Sequence, residues 1–507
     1  MPTYNRSCKI KILNEVECVF IGMHPDHIGY FYEDYGVHSA NYFFNPKFKL
    51  GAWDGKIRYF HKTGKTYVKL LDEIIPKVIA LGYKVQIEDQ RDTLVVEPEP
   101  VTEDFFSNIT DPSTNEPWKM RPYQIELVNA LMSNAGGVGI AGTGGGKTSM
   151  TAALALSYER AAGFKSIIVV PDKNLTKQTL TEYEFFGLDA GEYSGTKKDL
   201  NHQHIVSTWQ SLQNNPEVIQ SFNMVIVDEC HGLRGNVLTK LLNEYGSKIS
   251  YRFGVTGTLP KDETDAMAVK IAVGTVQYTI PAHQLIEEGY LSNLQIDVIQ
   301  HDIDLTSQYK DFLTEKPFPK PTYKQFKDAY FPDWPSEKRF LQTEETRLQW
   351  IADYITLCGE QKKGNVLCLV NGVQIGKKLA KLIPGSHFIY GEDEMKVRQD
   401  IYNLFKDNDN VIAIATVNIA STGLNIPRIF NLIYIDIGRS FIRTIQSIGR
   451  ALRKAHDKDF ARISDICSDL KYSKRHLRER VKYYNEAKYP NKKKIVQLTE
   501  SNLDVNI

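Results

Sequence analysis

Ala141-Gly142-Thr143-Gly144-Gly145-Gly146-Lys147-Thr148 decides how this 507-residue chain is read. It follows the short apolar run Val138–Ile140 and precedes a helix-like segment, Ser149–Glu159. A strand, a glycine-rich turn and a helix, in that order, are the context of a phosphate-binding loop. Glycines let successive backbone N–H groups curl around phosphates, and the helix N-terminus favours their negative charge. Lys147 is expected to reach the β- and γ-phosphates of ATP, and the Thr148 hydroxyl to complete the shell of a Mg²⁺ ion. The first position carries Ala141 where the general pattern has glycine.

Outward from the loop, short apolar runs alternate with helical stretches: Ser166–Val170, Ile205–Ser207, Met224–Val227 and Phe253–Thr256. That alternation predicts a parallel sheet with crossover helices. Asp228-Glu229-Cys230-His231 stands at the end of one strand, about eighty residues beyond the loop. Ligands of open α/β sheets bind at the carboxyl ends of strands, so these acids should face the loop. Asp228 is expected to hold Mg²⁺, and Glu229 to orient and deprotonate the attacking water. Thr256-Gly257-Thr258 brings hydroxyls to the same sheet edge. Upstream, Arg121-Pro122-Tyr123-Gln124 opens an amphipathic helix through Leu131, with proline in the first turn. The Gln124 amide can donate and accept together, as an adenine edge requires.

Apolar residues make up 42% and charged residues 24%, ordinary values for a globular protein. A chain this long predicts about three domains. The formal charge of +1 means that any nucleic-acid surface must come from local segregation of charge. Six scattered cysteines without a C-x-x-C pair argue against a zinc site or a disulfide framework. The N-terminus lacks the apolar core of a signal peptide, and no apolar run approaches the roughly 18–20 residues that span a bilayer. These features predict a cytoplasmic protein without a membrane partner.

Residues 1–97 read as a small α+β module. Trp53-Asp54-Gly55-Lys56 predicts a hairpin turn between Tyr42–Leu50 and Ile57–Phe60. Lys47, Lys49, Lys56 and Arg58 cluster there with Phe48, Trp53 and Tyr59. Such interleaving suits a surface that grips phosphates and stacks on bases, or else the two faces of an ordinary sheet. The proline-rich, acidic stretch 98–117 reads as a linker, and the first large domain runs to residue 299. Residues 300–342, rich in proline and aromatics, read as an interdomain connection or a protruding wedge.

From 343 to 470 a second parallel sheet is expected, on Asn365–Val370, His387–Tyr390, Val411–Ala415 and Leu432–Ile435. It has no phosphate loop. On a helix, Gln446, Gly449, Arg450 and Arg453 share one face, either solvated or presenting cations to another domain's nucleotide. The tail 471–507 is dense in Lys and Arg, again a solvated face or a nucleic-acid contact.

The ordered set Arg121–Gln124, Ala141–Thr148, Val170–Gln178, Ser207–Gln210, Asp228–His231, Thr256–Thr258, Ala415–Asn425 and Gln446–Arg453 resembles superfamily 2 helicases of the DExH branch. Phe44–Lys49 and Gly51–Arg58 resemble a narrower group, the UvsW-type branch-migration helicases of tailed phages. The resemblance implies two tandem RecA-like lobes behind the small N-terminal domain, with ATP and Mg²⁺ as cofactors. By position, Lys147, Thr148, Asp228 and Glu229 carry the chemistry, and Arg450 and Arg453 act across the cleft. Arg121, Gln124, Gly142–Gly146, Gly423 and Asn425 are implied to contact the nucleotide. Lys47, Lys49, Trp53, Lys56, Arg58, Thr208, Trp209 and Thr416 are implied to contact DNA. The expected partner is branched or forked DNA, gripped without regard to sequence, in the host-cell cytoplasm if the protein is phage-encoded. The rival expectations are an RNA helicase, a restriction-type motor subunit, or a nucleotide-gated DNA-binding protein that does not unwind.

Overall fold

The computed structural model describes residues 6–498 except 93–94, 113, 234–235, 316–319, 362–363, 391–399, 401–402, 418–427, 439–447, 450 and 455–456. Apart from residues 142–145, the chain divides between Ile280 and Pro281 into two compact units.

The first unit begins with a four-stranded sheet. Arg6–Ile12 and Glu17–Ile21 form an antiparallel pair, flanked by Tyr83–Asp89 and Lys65–Tyr67. Alternate residues Cys8, Ile10 and Ile12 turn inward, as strand periodicity requires, and pack with Ile74 and Val78 of the helix Leu71–Ala80. The predicted hairpin from Tyr42 to Phe60 does not form. Tyr42–Phe44 is a single 3₁₀ turn, Pro46–Lys49 a short helix, and Lys56–Arg58 pairs instead with Gly36–His38. Asn45-Pro46 explains the difference. The Asn45 side chain accepts the Lys47 N–H as an N-cap, and proline fits the first helical position.

The larger sheet of this unit has eight strands. Their order is Lys197–Lys198, Ala190–Ser194, His204–Thr208, Ser166–Val170, Met224–Asp228, Tyr251–Thr256, Gly136–Ala141 and Val276–Ile280. Every neighbouring pair except the first is parallel. Ser166–Val170 is buried at all its positions, which accounts for its unbroken apolar run. The stretch 98–117 is no free linker. Val101 and Phe106 are buried, Phe106 lies 4.6 Å from the Phe186 ring, and the Val101 backbone exchanges hydrogen bonds with the Asn129 amide. Its aromatic residues anchor it despite the prolines.

The second unit holds a seven-stranded, wholly parallel sheet. The order is His387–Ile389, Ile412–Thr416, Asn365–Val370, Ile429–Ile435, Phe460–Ser468, Asn293–Asp302 and Asn491–Gln497. Two sequence expectations fail here. Asn293–Asp302, assigned to the first large domain, is a strand of this second sheet. The basic tail is not a tail: Lys471–Glu486 is a helix and Asn491–Gln497 an edge strand. Residues 300–342 fold as a helical part of this unit. Their helices Thr306–Glu315, Tyr323–Tyr330 and Trp334–Leu341 enclose a small core of Leu305, Phe326, Phe331 and Leu341 that also takes in Leu470. Fully buried Glu337 receives the Tyr472 and Ser473 N–H groups at 2.8 and 2.7 Å, so this segment caps the C-terminal helix. Among the described residues no helix is long and apolar enough to cross a membrane.

Candidate nucleotide site and nucleic-acid surface

The phosphate loop takes the form its glycines allow. Gly144 and Gly146 have φ of +91° and +77°, the left-handed region where a Cβ is costly, and the Gly145 N–H donates to the Gly142 carbonyl at 2.9 Å. Lys147 and Thr148 open the helix Lys147–Ala162, whose unpaired first-turn N–H groups point toward an incoming phosphate. Gln124 is buried nearby. Its Oε1 accepts the Arg121 N–H at 3.0 Å and its Nε2 donates to Ser149 Oγ at 3.3 Å. The amide thus ties the Pro122–Ser133 helix to the loop's helix.

Asp228 ends the strand Met224–Asp228, and Glu229 follows at φ +49° with its N–H on Asp228 Oδ1 at 2.8 Å. This left-handed kink is unusual for a residue with a Cβ. Lys147 Nζ stands 3.4 Å from Glu229 Oε1. On the other side, His231 Nδ1 lies 3.2 Å from Glu229 Oε2 and 2.9 Å from Thr256 Oγ1, and Thr256 Oγ1 is 3.3 Å from the same carboxylate oxygen. Thr256 Oγ1 also donates to the Thr258 carbonyl at 2.9 Å. Asp228-Glu-Cys-His and Thr-Gly-Thr, separate in sequence, are one network.

Burial, then the adjacent Glu229 charge, pushes the Asp228 carboxyl up, against the pull of Lys147. Burial would raise Glu229 too, but Lys147 and His231 outweigh it and hold this carboxylate well below its usual range. The pair is therefore split: an ionised Glu229 beside an Asp228 that needs a cation to stay charged. Among the described residues no cluster of three or more His, Cys, Asp or Glu could hold a metal alone. Mg²⁺ does not need one, since it binds through one or two protein oxygens together with phosphate and water. Asp228 and the Thr148 hydroxyl fit that requirement.

Other expected contacts separate. Thr208 is buried with its hydroxyl 3.1 Å from Ser211 Oγ, and half-buried Trp209 packs against the apolar core of its unit. Thr208 ends a strand buried at every position, and Trp209 opens the short helix Trp209–Asn214. Arg58 is occupied as well: its guanidinium binds Glu33 at 3.0 Å and Asp54, and lies over the Tyr32 ring. Lys56 faces Glu33 at 3.7 Å, and Trp53 Nε1 donates to the Lys56 carbonyl. Lys47 and Lys49 are exposed, and half-buried Thr416 ends its strand. Gly423, Asn425, Gln446 and Arg450 lie outside the described residues. Arg453 is half-buried, and its carbonyl is held at 2.8 Å by Lys458 Nζ, which also donates to the Ala451 carbonyl.

Sequence reasoning missed Lys458 and two buried ion pairs of the second unit. Arg347 meets Asp436 at 2.8 Å, and Arg480 meets Asp465 at 2.7 Å while donating to the Ile437 carbonyl at 2.6 Å. Charged residues inside the apolar runs, Asp436 after Ile435 and Asp465 between Ile463 and Ile466, were the available signal.

A phosphate loop and a strand-end Asp-Glu in one parallel sheet, with a second parallel sheet following, define a RecA-like nucleotide hydrolase of the motor class. Family models agree with that order: "DNA helicase UvsW, N-terminal" matches residues 9–88, "Type III restriction enzyme, res subunit" residues 117–261, and "Helicase conserved C-terminal domain" residues 347–455. The chain is 25% identical over 450 residues to the ATP-dependent DNA helicase uvsW of Enterobacteria phage T4, covering 85% of each protein. It is 22% identical to the DNA 3'-5' translocase XPB2 of Sulfurisphaera tokodaii over 74% of this chain and 87% of that protein. In fold it is similar to Saccharomyces cerevisiae Dbp5 bound to RNA, with a TM-score of 0.51 at 15% identity, over 76% of this chain and 91% of that one. These matches together support an ATP-hydrolysing superfamily 2 helicase of the UvsW type.

Proposed function

We propose that this helicase translocates on DNA and remodels branched molecules, by branch migration, fork regression or unwinding of displacement and R-loops. The observation that carries this reading is how the N-terminal module is seated on the nucleotide-binding lobe. Glu15, almost buried, meets Ser250 Oγ at 3.1 Å and Arg91 at 2.8 Å, and its N–H donates to the Ser247 carbonyl. Lys270 pairs with Glu73, and Ile271 joins the module's apolar core. A module so fixed moves with its lobe, so a DNA segment held by it is displaced by each stroke.

In the chemical step Lys147 leaves Glu229 for the β- and γ-phosphates. Glu229 loses the Lys147 charge, its proton affinity rises, and it becomes a better base for the attacking water. Thr256 and His231 keep its carboxylate aimed. Mg²⁺ held by Thr148 and Asp228 would neutralise charge building on the phosphates. Arg450 and Arg453 are assigned to the same charge from the second lobe, an effect of about 10³–10⁵ in rate.

The experiment is a panel of labelled substrates with ATP: fork, four-way junction, displacement loop, blunt duplex and an RNA-containing hybrid. Branched DNA should be opened and blunt duplex left intact. A chain that binds junctions, hydrolyses ATP and leaves them unresolved is a nucleotide-gated clamp. Preference for the RNA-containing hybrid would assign it to RNA instead.

A further inference from the structure

The N-terminal module carries a feature that its own packing does not explain. Phe43, Phe44 and Leu50 are 50%, 67% and 82% exposed. They lie within one tight turn made of the 3₁₀ turn Tyr42–Phe44 and the helix Pro46–Lys49. Their neighbours pack normally: Tyr42 stacks on His38 at 4.4 Å and meets Phe48 at 4.8 Å. The turn is braced from below. Asn45 caps Lys47, and Gly55 lies so close beneath the Tyr42 ring that a Cβ there would meet it at 2.4 Å. Three large apolar side chains are thus held in water on a firm base, at positions where polar residues would leave the fold unchanged.

The charge around this tip selects an occupant. No acidic residue occurs between Asp34 and Asp54. Lys47 and Lys49 flank the tip, Lys49 Nζ stands 6.0 Å from the centre of the Phe44 ring, and among the described residues no carboxylate lies within 4 Å of either ammonium. An aromatic pair, with ring centres 4.5 Å apart, between two uncompensated cations matches a partner that offers flat apolar faces on a polyanionic backbone. Apolar side chains of these types act as wedges between base steps.

We propose that Phe43, Phe44 and Leu50 form a stacking wedge that receives unpaired bases at the branch point, while Lys47 and Lys49 hold the adjoining phosphates. This rests on the DNA-remodelling reading and gives it a point of contact. The wedge opens no bond by itself; it captures bases as they unstack and prevents their re-annealing while the motor advances.

The test uses the full chain with F43A/F44A and with L50A, and a four-way junction carrying 2-aminopurine at its centre. Fluorescence of the probe should change on binding to the native chain and not to F43A/F44A. Base pairs opened per ATP hydrolysed should fall about tenfold in the double variant, with thermal melting unchanged because the side chains are exposed. Equal opening per ATP in the double variant overturns the proposal. So does sedimentation in which the native chain self-associates through the tip and the variant does not, or tip-dependent binding to anionic phospholipid vesicles without a probe signal on DNA. If the native chain opens no branched substrate, the functional reading fails. If it opens them and both variants match it, the wedge alone fails.

Discussion

Gly146 holds φ at +77° directly before Lys147, and a Cβ built on it would stand 2.5 Å from Gln124 Nε2. Backbone strain and contact therefore act together at this residue. Gly146→Ala should weaken ATP binding at least tenfold, read by fluorescent-nucleotide titration, without unfolding the lobe. Thr256 is a different case. It touches both His231 and Glu229, so Thr256→Val frees the base without removing it. Misaligned by about 1 Å, a general base commonly loses about 10²-fold. Steady-state kinetics of this variant should show kcat lowered by that order with KM for ATP little changed. Lys147, Asp228 and Glu229 are legible in the sequence alone, because a phosphate loop and a strand-end acid pair leave few alternatives at that spacing. Their wiring through Thr256 is not. It depends on Met224–Asp228 and Tyr251–Thr256 being neighbouring strands, with Asp228 opposite Val255.

Elements of the second unit obey the same logic at larger size. The helix Lys471–Glu486 shows a basic composition, yet Leu477, Arg480 and Tyr484 are buried on one face. Arg480 binds Asp465 at 2.7 Å and the Ile437 carbonyl at 2.6 Å, gripping the chain just beyond the strand Ile429–Ile435. Removing one partner of a buried pair leaves an uncompensated charge, at about 3–5 kcal/mol. Deletion of residues 471–507 should accordingly yield an insoluble or unfolded second unit, seen by limited proteolysis, where a solvated tail would be dispensable. Lys458 gives a pH-dependent signature. Burial lowers its ammonium from 10.5 to about 8. As pH falls, the unfolded chain takes up this proton first, so the stability due to Lys458 declines between about 10.5 and about 8 and is level below. The slope integrates to roughly 1–3 kcal/mol. Chemical denaturation across that window should show the slope in the native chain and lose it in Lys458→Met.

At the scale of the whole molecule, formal charge is +1, and polyanion binding must come from local surfaces such as the Lys47–Lys49 turn. Apart from residues 142–145, which belong with the second unit, the chain divides at Ile280, and the two arginines assigned to catalysis lie beyond that point. A fragment ending at Ile280 should bind ATP more weakly than the full chain, because residues 142–145 lose the unit they pack with, and should show no DNA-stimulated hydrolysis; turnover in that fragment would remove the arginines from the chemistry.

The phosphate loop, the acid pair, most central strands of both sheets and the succession of a small module and two parallel-sheet lobes are legible in the residues alone. These are local signals, written in apolar period and in residues whose chemistry has few substitutes. Only long-range packing sets which sheet takes Asn293–Asp302, that the basic tail is a helix and an edge strand, that 300–342 caps that helix through Glu337, that Thr208 is buried and that Arg58 is already paired. Each of those depends on which distant segment lies alongside. Pairing across more than a hundred residues, as between Asn293–Asp302 and Phe460–Ser468, leaves no mark in the spacing of either.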